Sequence, residues 1–460
     1  MTDKQAVTKL GTYYLQTYGC QMNEYDSELL GWLLERLHYT PCSEPAEADI
    51  AVFNTCCVRD NADQKVYGRI GDFKNHKLTN PNQVLAVAGC LAQKDGEAFL
   101  ERFPQVDVVV GTHNLQDLPD LIARVQNGEG RFVKVDRVGD HFNLPSNPRK
   151  KHSAMVTISM GCDQWCTFCI VPYVRGQLKS RPLPQVLSEV KRLAWEGHRE
   201  ILLLGQNVND YGRDLEGEVD FADLIDGTRG MRGLDRLRFT SPHPHYFTQR
   251  VIDSMAANPA VCEHIHLPVQ SGDDEVLKRM RRLYTQAEFL DLVARMRKAI
   301  PTLSLTTDII VGYPGETEEQ FQHTLDVVRE VGFSSAFMFA YSPRPGTPGS
   351  LFKDQVPEDE KMDRLYRLIE VQNNLSLAQN LEMVGREFEL LVEGPSKKDP
   401  TRFTGRTRCN RLVHFAHEGH SLTGHLVRVK LEKAYTWGFI GGLLEAEAKP
   451  GAWGLAANSA

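Results

Sequence analysis

Short, continuous apolar runs separated by polar, helix-forming stretches dominate the first third of the chain. YYLQTYG (13–19), DIAVFNT (49–55), VLAVAG (84–89) and VDVVVG (106–111) are each bounded by Gly, Asn or Thr, and a helix is expected from Glu28 to Leu37. Continuous rather than alternating apolarity marks strands covered on both faces. The pattern therefore predicts parallel βα units in a three-layer α/β domain that ends near Asn127. GDHFNLPSNPRKKHS (139–153) is polar, holds two prolines and a basic cluster, and reads as a linker.

From Ala154 the alternation resumes. AMVTISM, a helix from Pro184 to Trp195, EILLLG, RLRFTS, HIHLPV, LSLTTDIIVG and SSAFMFAY follow one another with helical stretches between most of them. Repeated βα units predict an open or closed β/α barrel, whose active site lies at the carboxyl ends of its strands. A charged helix is expected from Glu358 to about Asn380. Beyond it FELLVEG, TGRTRCNRLVHFA and LTGHLVRVKLEKAYTWGFIGGLL are rich in β-formers and turn glycines, as in a small antiparallel β-barrel.

Composition sharpens this outline in three ways. With 460 residues the chain is too long for one core, and 41% hydrophobic with 25% charged residues is ordinary for a globular protein. No eighteen-residue apolar run and no secretory signal are visible, so a cytoplasmic protein without membrane contact is expected. In such a compartment ten scattered cysteines point to metal binding or chemistry rather than to disulfides. The charge of -7 is unevenly spread: Ser396 to Lys433 holds nine Lys or Arg against Asp399, Glu418 and Glu432, a net of +6. A basic C-terminal module of this kind is the expected footprint of polyanion binding.

Cys162, Cys166 and Cys169 form a CxxxCxxC loop directly after the strand AMVTISM. Three thiolates on a 4Fe-4S cluster leave one iron open, and S-adenosylmethionine (SAM) can chelate that iron before reductive cleavage. Trp165 and Phe168 are placed to shield such a cluster. A structural zinc site would want four Cys or His ligands and a second short pair, which the chain lacks. His264 and His266 alternate in a strand and fall on one face.

Cys20, Cys56 and Cys90 each follow one of the first three apolar runs. In a parallel sheet those ends share one edge, where α/β domains bind ligands, so a second three-thiolate cluster is expected there. Cys57 neighbours Cys56, but adjacent side chains of an extended chain point apart. Cys42, Cys262 and Cys409 have no partner spacing and read as structural.

Together TYGCQMNEYDSE, NTCCVRDNADQKVYGRIG, VAGCLAQ, MGCDQWCTFCIVPYVRG, LLGQNVNDYG, HLPVQSGDDEVLKRMRRLY and TDIIVGYPGETEEQF resemble the radical-SAM methylthiotransferases, most closely the tRNA-2-methylthio-N6-dimethylallyladenosine synthase type. The resemblance runs from about Gly11 to Leu444. It implies a methylthiotransferase domain over 11–127, a radical-SAM partial β/α barrel over 148–379 and an RNA-binding TRAM β-barrel over 381–446. It further implies that Cys20, Cys56 and Cys90 hold an auxiliary 4Fe-4S cluster and that Cys162, Cys166 and Cys169 hold the radical-SAM cluster. The implied reaction methylthiolates C2 of an isopentenylated adenosine beside the tRNA anticodon and uses two SAM per turnover. One SAM methylates a sulfur carried at the auxiliary cluster, and the second yields a deoxyadenosyl radical.

SAM contacts are expected from Gly205, Gln206, Gln270, Ser271, Gly312 and Pro314 at strand ends, where each also suits a plain turn. The run Lys278, Arg279, Arg281, Arg282 reads as a solvated helix face that can also meet tRNA phosphate. The expected partners are tRNA, a flavodoxin-type reductant and a sulfur or cluster donor protein, with the enzyme a monomer. Rival readings are methylthiotransferases acting on threonylcarbamoyl-adenosine in tRNA or on a ribosomal-protein aspartate, and a non-catalytic iron-sulfur RNA-binding oxygen sensor. A sensor needs no substrate cavity.

Overall fold

The computed structural model describes residues 10–57, 60–139, 141–145 and 147–446. Val58 and Arg59 of the NTCCVRD motif, and Asp140 and Ser146 of the expected linker, lie outside the described residues. The chain divides into two compact units. The first comprises the described part of Met1–Arg149 with Met160–Trp165 and Cys169–Lys179, and the second comprises Lys150–Ser159, Cys166–Phe168 and the described part of Ser180–Ala460.

In the first unit, β1 (Gly11–Thr17), β2 (Tyr39–Pro41), β3 (Ile50–Thr55), β4 (Val84–Gly89), β5 (Val108–Val110) and β6 (Phe132–Lys134) form one parallel sheet ordered β2-β1-β3-β4-β5-β6. Every residue of β3 and β4 is buried, which explains their unbroken apolar sequence. Ile50, Val52, Val84 and Ala86 face one core with Leu29, Leu30 and Leu34 of the helix Gln21–Arg36. Ala51, Phe53, Leu85 and Val87 face the other with Val66, Ile70 and Phe73.

The expected helix from Glu28 begins seven residues earlier, at Gln21. Its first turns hold buried polar residues: Asn23 and Ser27 serve the strand ends and Asp26 pairs with Arg175 rather than joining the apolar core. That removes the periodic signal on which the expectation rests. Register places the carboxyl ends in line, with Thr17 opposite Asn54 and Thr55 opposite Gly89.

β7 (Ser153–Thr157) lies in the second unit, while the two-residue strands β8 (Ser159–Met160) and β9 (Lys179–Ser180) each have one residue in either unit. β7 then pairs with β10 (Glu200–Leu204) and β10 with β11 (Arg236–Phe239), all parallel. A parallel bridge from Leu237 to Val261 leads to a second parallel set of β12 (His264–His266), β13 (Ser304–Val311) and β14 (Ser335–Ala340). Six parallel strands in chain order form a partial barrel around one large core that includes Val156, Ile201, Leu237, Ile265, Leu305 and Ile309.

The helix Glu358–Met383 then leads to β15 (Glu387–Pro395), β16 (Arg402–Thr407), β17 (Leu412–Ala416), β18 (Leu426–Tyr435) and β19 (Gly438–Ala446), which close a barrel in the order β15-β16-β17-β19-β18. The expected antiparallel arrangement holds at every pair but one, since β17 and β19 run parallel. Among the described residues no helix is long and apolar enough to cross a membrane.

Candidate active site

The strand order of the first sheet reverses between β1 and β3, and the crevice beyond such a reversal is where parallel sheets bind ligands. Cys20 caps the helix that follows β1, Cys56 ends the segment after β3, and Cys90 opens the helix Cys90–Asp95 after β4. Gly19 and Gly89 permit the approach. Gly19 has φ +130, and a Cβ there would lie 2.5 Å from Cys56 Cβ. Gly89 has φ +93, and a Cβ there would press into Asn54 Oδ1 and the Thr55 carbonyl.

Hydrogen bonding from the Cys56 thiol is the main pull that lowers the Cys20 thiol to about 6, with help from the Arg175 charge. Cys90 is lowered chiefly by the Cys57 thiol, again with Arg175 assisting. Cys57 thus shares the crevice with the expected triad, although it neighbours Cys56 in the chain.

Arg175 was not legible as a site residue. It ends the short helix Val171–Arg175 and is buried. Its Nε donates to Cys90 Sγ at 3.3 Å and its Nη2 to Asp26 Oδ2 at 2.7 Å. Burial alone would lower its pKa, but the charges of Asp26, Cys90 and Cys20 more than offset this, so the guanidinium stays ionised. Soft thiolates gathered beside a buried cation are a donor set that suits an iron-sulfur cluster.

The CxxxCxxC loop is pinned at both ends. In the first unit, Cys162 N–H donates to the Gly176 carbonyl at 3.0 Å and Gln164 N–H to Cys162 Sγ at 3.4 Å. Trp165, expected as a shield, is 45% exposed and meets Tyr173 edge-on at 5.5 Å. In the second unit, Thr167 N–H donates to the Met280 carbonyl and its Oγ1 to the Arg279 carbonyl, while Phe168 packs on Met280, Tyr313 and Tyr341.

Arg282 donates through Nη1 to Cys166 Sγ at 3.6 Å and through Nη2 to the Pro268 carbonyl at 3.1 Å. This corrects the reading of Lys278 to Arg282 as one solvated face: Lys278 is exposed beside Glu275, Arg279 pairs with Asp354, and Arg282 turns inward to the thiol. Among the described residues no three His, Cys, Asp or Glu side chains are arranged to hold a single metal ion. His264 and His266 share one strand face and both reach Thr306 Oγ1, at 3.1 and 3.0 Å.

At and beyond the carboxyl ends of the barrel strands, Thr157 Oγ1, Ser159 Oγ, both amide atoms of Gln206 and of Asn207, His243 Nε2 and Gln270 Oε1 are buried without hydrogen-bond partners among the described residues. An unmet buried polar atom costs about 1–3 kcal/mol, so these groups are available to a polar ligand. The amino and carboxylate groups of SAM have the complementary chemistry.

The backbone of His243 is clasped on both sides by Asn209. Asn209 donates to its carbonyl at 3.0 Å and accepts its N–H at 2.8 Å, while His243 Nδ1 accepts the His245 N–H at 3.2 Å. Nε2 therefore carries the ring proton. Burial, aided by the Arg282 charge, pushes the imidazole down to about 2 and keeps it a neutral donor.

The six expected SAM contacts separate into two groups. Gly205, where a Cβ would lie 2.6 Å from Ser159 Oγ, adjoins the unmet atoms together with Gln206 and Gln270, and Gln270 is held at φ +67. Ser271 accepts the Asp273 N–H at 3.3 Å and lies 3.4 Å from Thr324 Oγ1. Gly312 donates to Glu316 Oε2 at 2.6 Å, and Pro314 lies in the turn closed by Glu316 N–H on the Tyr313 carbonyl. These last three serve the turns that shape the strand ends. Of the residues not singled out from sequence, Arg175 interrupts the apolar run IVPYVR, and His243 lies in the unusual SPHPHY; only those local oddities signalled them.

Comparison with known proteins covers most of the chain. Residues 12–111 match the family described as "Uncharacterized protein family UPF0004", 156–328 the Radical SAM superfamily and 381–444 the TRAM domain. A tRNA-2-methylthio-N(6)-dimethylallyladenosine synthase of Clostridium botulinum (strain Loch Maree / Type A3) is 46% identical over 439 residues, 95% of this chain and 97% of that protein. The enzyme of the same name from Moorella thermoacetica is 47% identical over 93% of this chain and 97% of its own. That from Frankia alni is 50% identical over 88% and 82%.

Among solved structures, the radical S-adenosylmethionine methyltransferase TsrM from Kitasatospora setae superposes with a TM-score of 0.56 at 13% identity, over 75% of this chain and 74% of its own. The cobalamin-dependent radical enzyme OxsB gives 0.52 at 15%, over 78% and 56%. At these identities the likeness is one of fold.

Proposed function

The chain belongs to the radical-SAM methylthiotransferases of the tRNA-2-methylthio-N(6)-dimethylallyladenosine synthase family, and on that premise we propose that it methylthiolates C2 of N6-dimethylallyl-adenosine adjacent to the anticodon of tRNA. The observation that carries the reading is the presence of two thiol triads in one chain. Cys20, Cys56 and Cys90 follow the carboxyl ends of β1, β3 and β4, and Cys162, Cys166 and Cys169 follow the first barrel strand.

In this reading the first triad holds an auxiliary 4Fe-4S cluster and the second holds the radical-SAM cluster. When bound, the clusters and SAM supply a reductively generated carbon radical and a methylated sulfur, which an unactivated aromatic C–H requires. The chain's own residues then divide the remaining work. Gln206, Gln270 and Ser159 receive the polar end of SAM, with Gly205 leaving room for it. His243 offers a fixed neutral N–H inside the barrel mouth, and Arg282 holds the Cys166 thiolate. Lys397, Lys398 and Lys430 of the small barrel make no ion pair among the described residues and are the cations best placed for tRNA phosphate. The reaction draws electrons from a flavodoxin-type reductant and sulfur from a donor protein, in the cytoplasm, with the enzyme a monomer.

Anaerobically reconstituted protein given reductant and SAM is expected to release deoxyadenosine and to hold about eight irons per chain. Replacing Cys20, Cys56 and Cys90 together by Ala should leave about half of the iron. Absence of deoxyadenosine would refute the radical-enzyme assignment, and full iron retention would refute the N-terminal one.

A further inference from the structure

Arg175 lies six residues beyond Cys169, on the segment that carries the CxxxCxxC loop, yet its guanidinium is spent on the other triad. It is 2% exposed, and Asp26, which holds it, is fully buried. Asp26 Oδ2 takes Nη2 at 2.7 Å, Asp26 Oδ1 lies 3.8 Å from His141 Nε2, and Nε points at Cys90 Sγ from 3.3 Å. The helix end that delivers it is anchored independently, because Thr112 Oγ1 donates to the Val174 carbonyl at 2.6 Å. Nη1 is buried and has no hydrogen-bond partner among the described residues.

A buried arginine whose Nη1 donors are unused beside thiolates is able to take a further electron-rich atom. Structural ion pairing with Asp26 accounts for Nη2 alone. It leaves unexplained why Nε is aimed at a sulfur and why the buried Nη1 stays unfilled.

We propose that Arg175 is a positioning residue of the auxiliary sulfur site, hydrogen-bonding Cys90 and supplying the positive charge that stabilises the cluster and the sulfur carried there. This rests on the assignment of Cys20, Cys56 and Cys90 as the auxiliary ligands. The charge is held within contact distance of one ligand and is felt by a second, Cys20. Hydrogen bonds and charge near ligand sulfurs set the potential of an iron-sulfur cluster, and partners just outside the ligands set its retention.

The test uses the full chain bearing Cys162→Ala, Cys166→Ala and Cys169→Ala, reconstituted anaerobically, so that all cluster iron is auxiliary. Its midpoint potential is followed by electron paramagnetic resonance, and its iron loss to a chelator is timed. Arg175→Met should shift the potential to more negative values and weaken iron retention about tenfold or more. Arg175→Lys should recover part of both.

Because Arg175→Met strands the Asp26 carboxylate, the Arg175→Met/Asp26→Asn double variant separates charge from misfolding. It should remain more negative in potential than Asp26→Asn alone. An unchanged potential and retention in Arg175→Met, or full recovery of both in the double variant, would overturn the inference while leaving the auxiliary ligands in place. Absence of any cluster signal before Arg175 is changed would overturn the ligand assignment and this inference with it.

Discussion

Glu316 lies behind the expected SAM contact Gly312, where burial pushes its carboxyl up to about 7 against the pull of the Gly312 amide and of Arg364. A carboxyl raised above its unfolded value keeps its proton in the folded state while the unfolded chain has lost it. Folding stability should therefore fall as pH rises from about 4.5 to about 7, by on the order of 2–3 kcal/mol, and level off above. Thermal melts across that range should show this component in the parent and lack it in Glu316→Gln; equal slopes in both would remove Glu316 as the source. The adjacent pair Cys56 and Cys57 makes a second residue-scale case. Both thiols face the crevice, but the family resemblance assigns ligation to Cys56. Cys56→Ala should lower iron from about eight to about four per chain, whereas Cys57→Ala should retain it. The reverse outcome would exchange their roles. What could be read at this scale was residue type and spacing. The partner of Arg175 could not be read, because Asp26 is far away in sequence and meets it only through folding.

Strands were legible where burial on both faces leaves a largely apolar run, as in β3 and β4. The edge strands β2 and β6 were not, since three residues each carry no period and their pairing is set by the neighbouring strand. The start of the helix Gln21–Arg36 escaped for the opposite reason: its first turns are committed to hydrogen-bonding the strand ends. Asn23 Nδ2 donates to the Thr55 carbonyl at 3.0 Å, and Asn54 Nδ2 donates to the Asn23 carbonyl at 2.8 Å. That lattice sets the spacing of the three cysteines, so its tightest point should be intolerant. Gly89→Ala forces a side chain to φ +93 and into Asn54 and Thr55, and should cost about 1–3 kcal/mol before relaxation together with much of the auxiliary iron. Gly96→Ala, also at positive φ but with Val135 at an ordinary 3.5 Å, should keep the iron. Calorimetry paired with iron analysis distinguishes the two, and equal iron loss in both would show that the lattice does not set the site.

Within the second unit the partial barrel and the small barrel are joined by arginines rather than by an apolar seam. Arg236 donates to the Arg406 carbonyl and Glu389, and Arg238 to the Thr407 and Arg408 carbonyls. Arg408 holds Glu263 and the Val261 carbonyl, and Arg411 reaches the Ser334 carbonyl. The charge of +6 read from the sequence is thus partly committed to docking, which composition could not reveal because it does not show which cations face inward. Arg408→Ala should destabilise the docked unit by about 2–4 kcal/mol, seen as a lowered or split calorimetric transition. Lys397→Ala and Lys398→Ala should leave the melt unchanged and reduce the salt dependence of tRNA binding by a log–log slope of about 1 each. A melt shift without a change in salt slope in the lysine variants would place RNA elsewhere. For the molecule as a whole, the direct measurement is mass spectrometry of tRNA nucleosides from a strain lacking this gene. The 2-methylthio nucleoside should vanish and N6-dimethylallyl-adenosine should accumulate, with restoration by the parent chain and not by the Cys20, Cys56 and Cys90 triple Ala variant. Persistence of the methylthiolated nucleoside in the deletion strain would contradict the account.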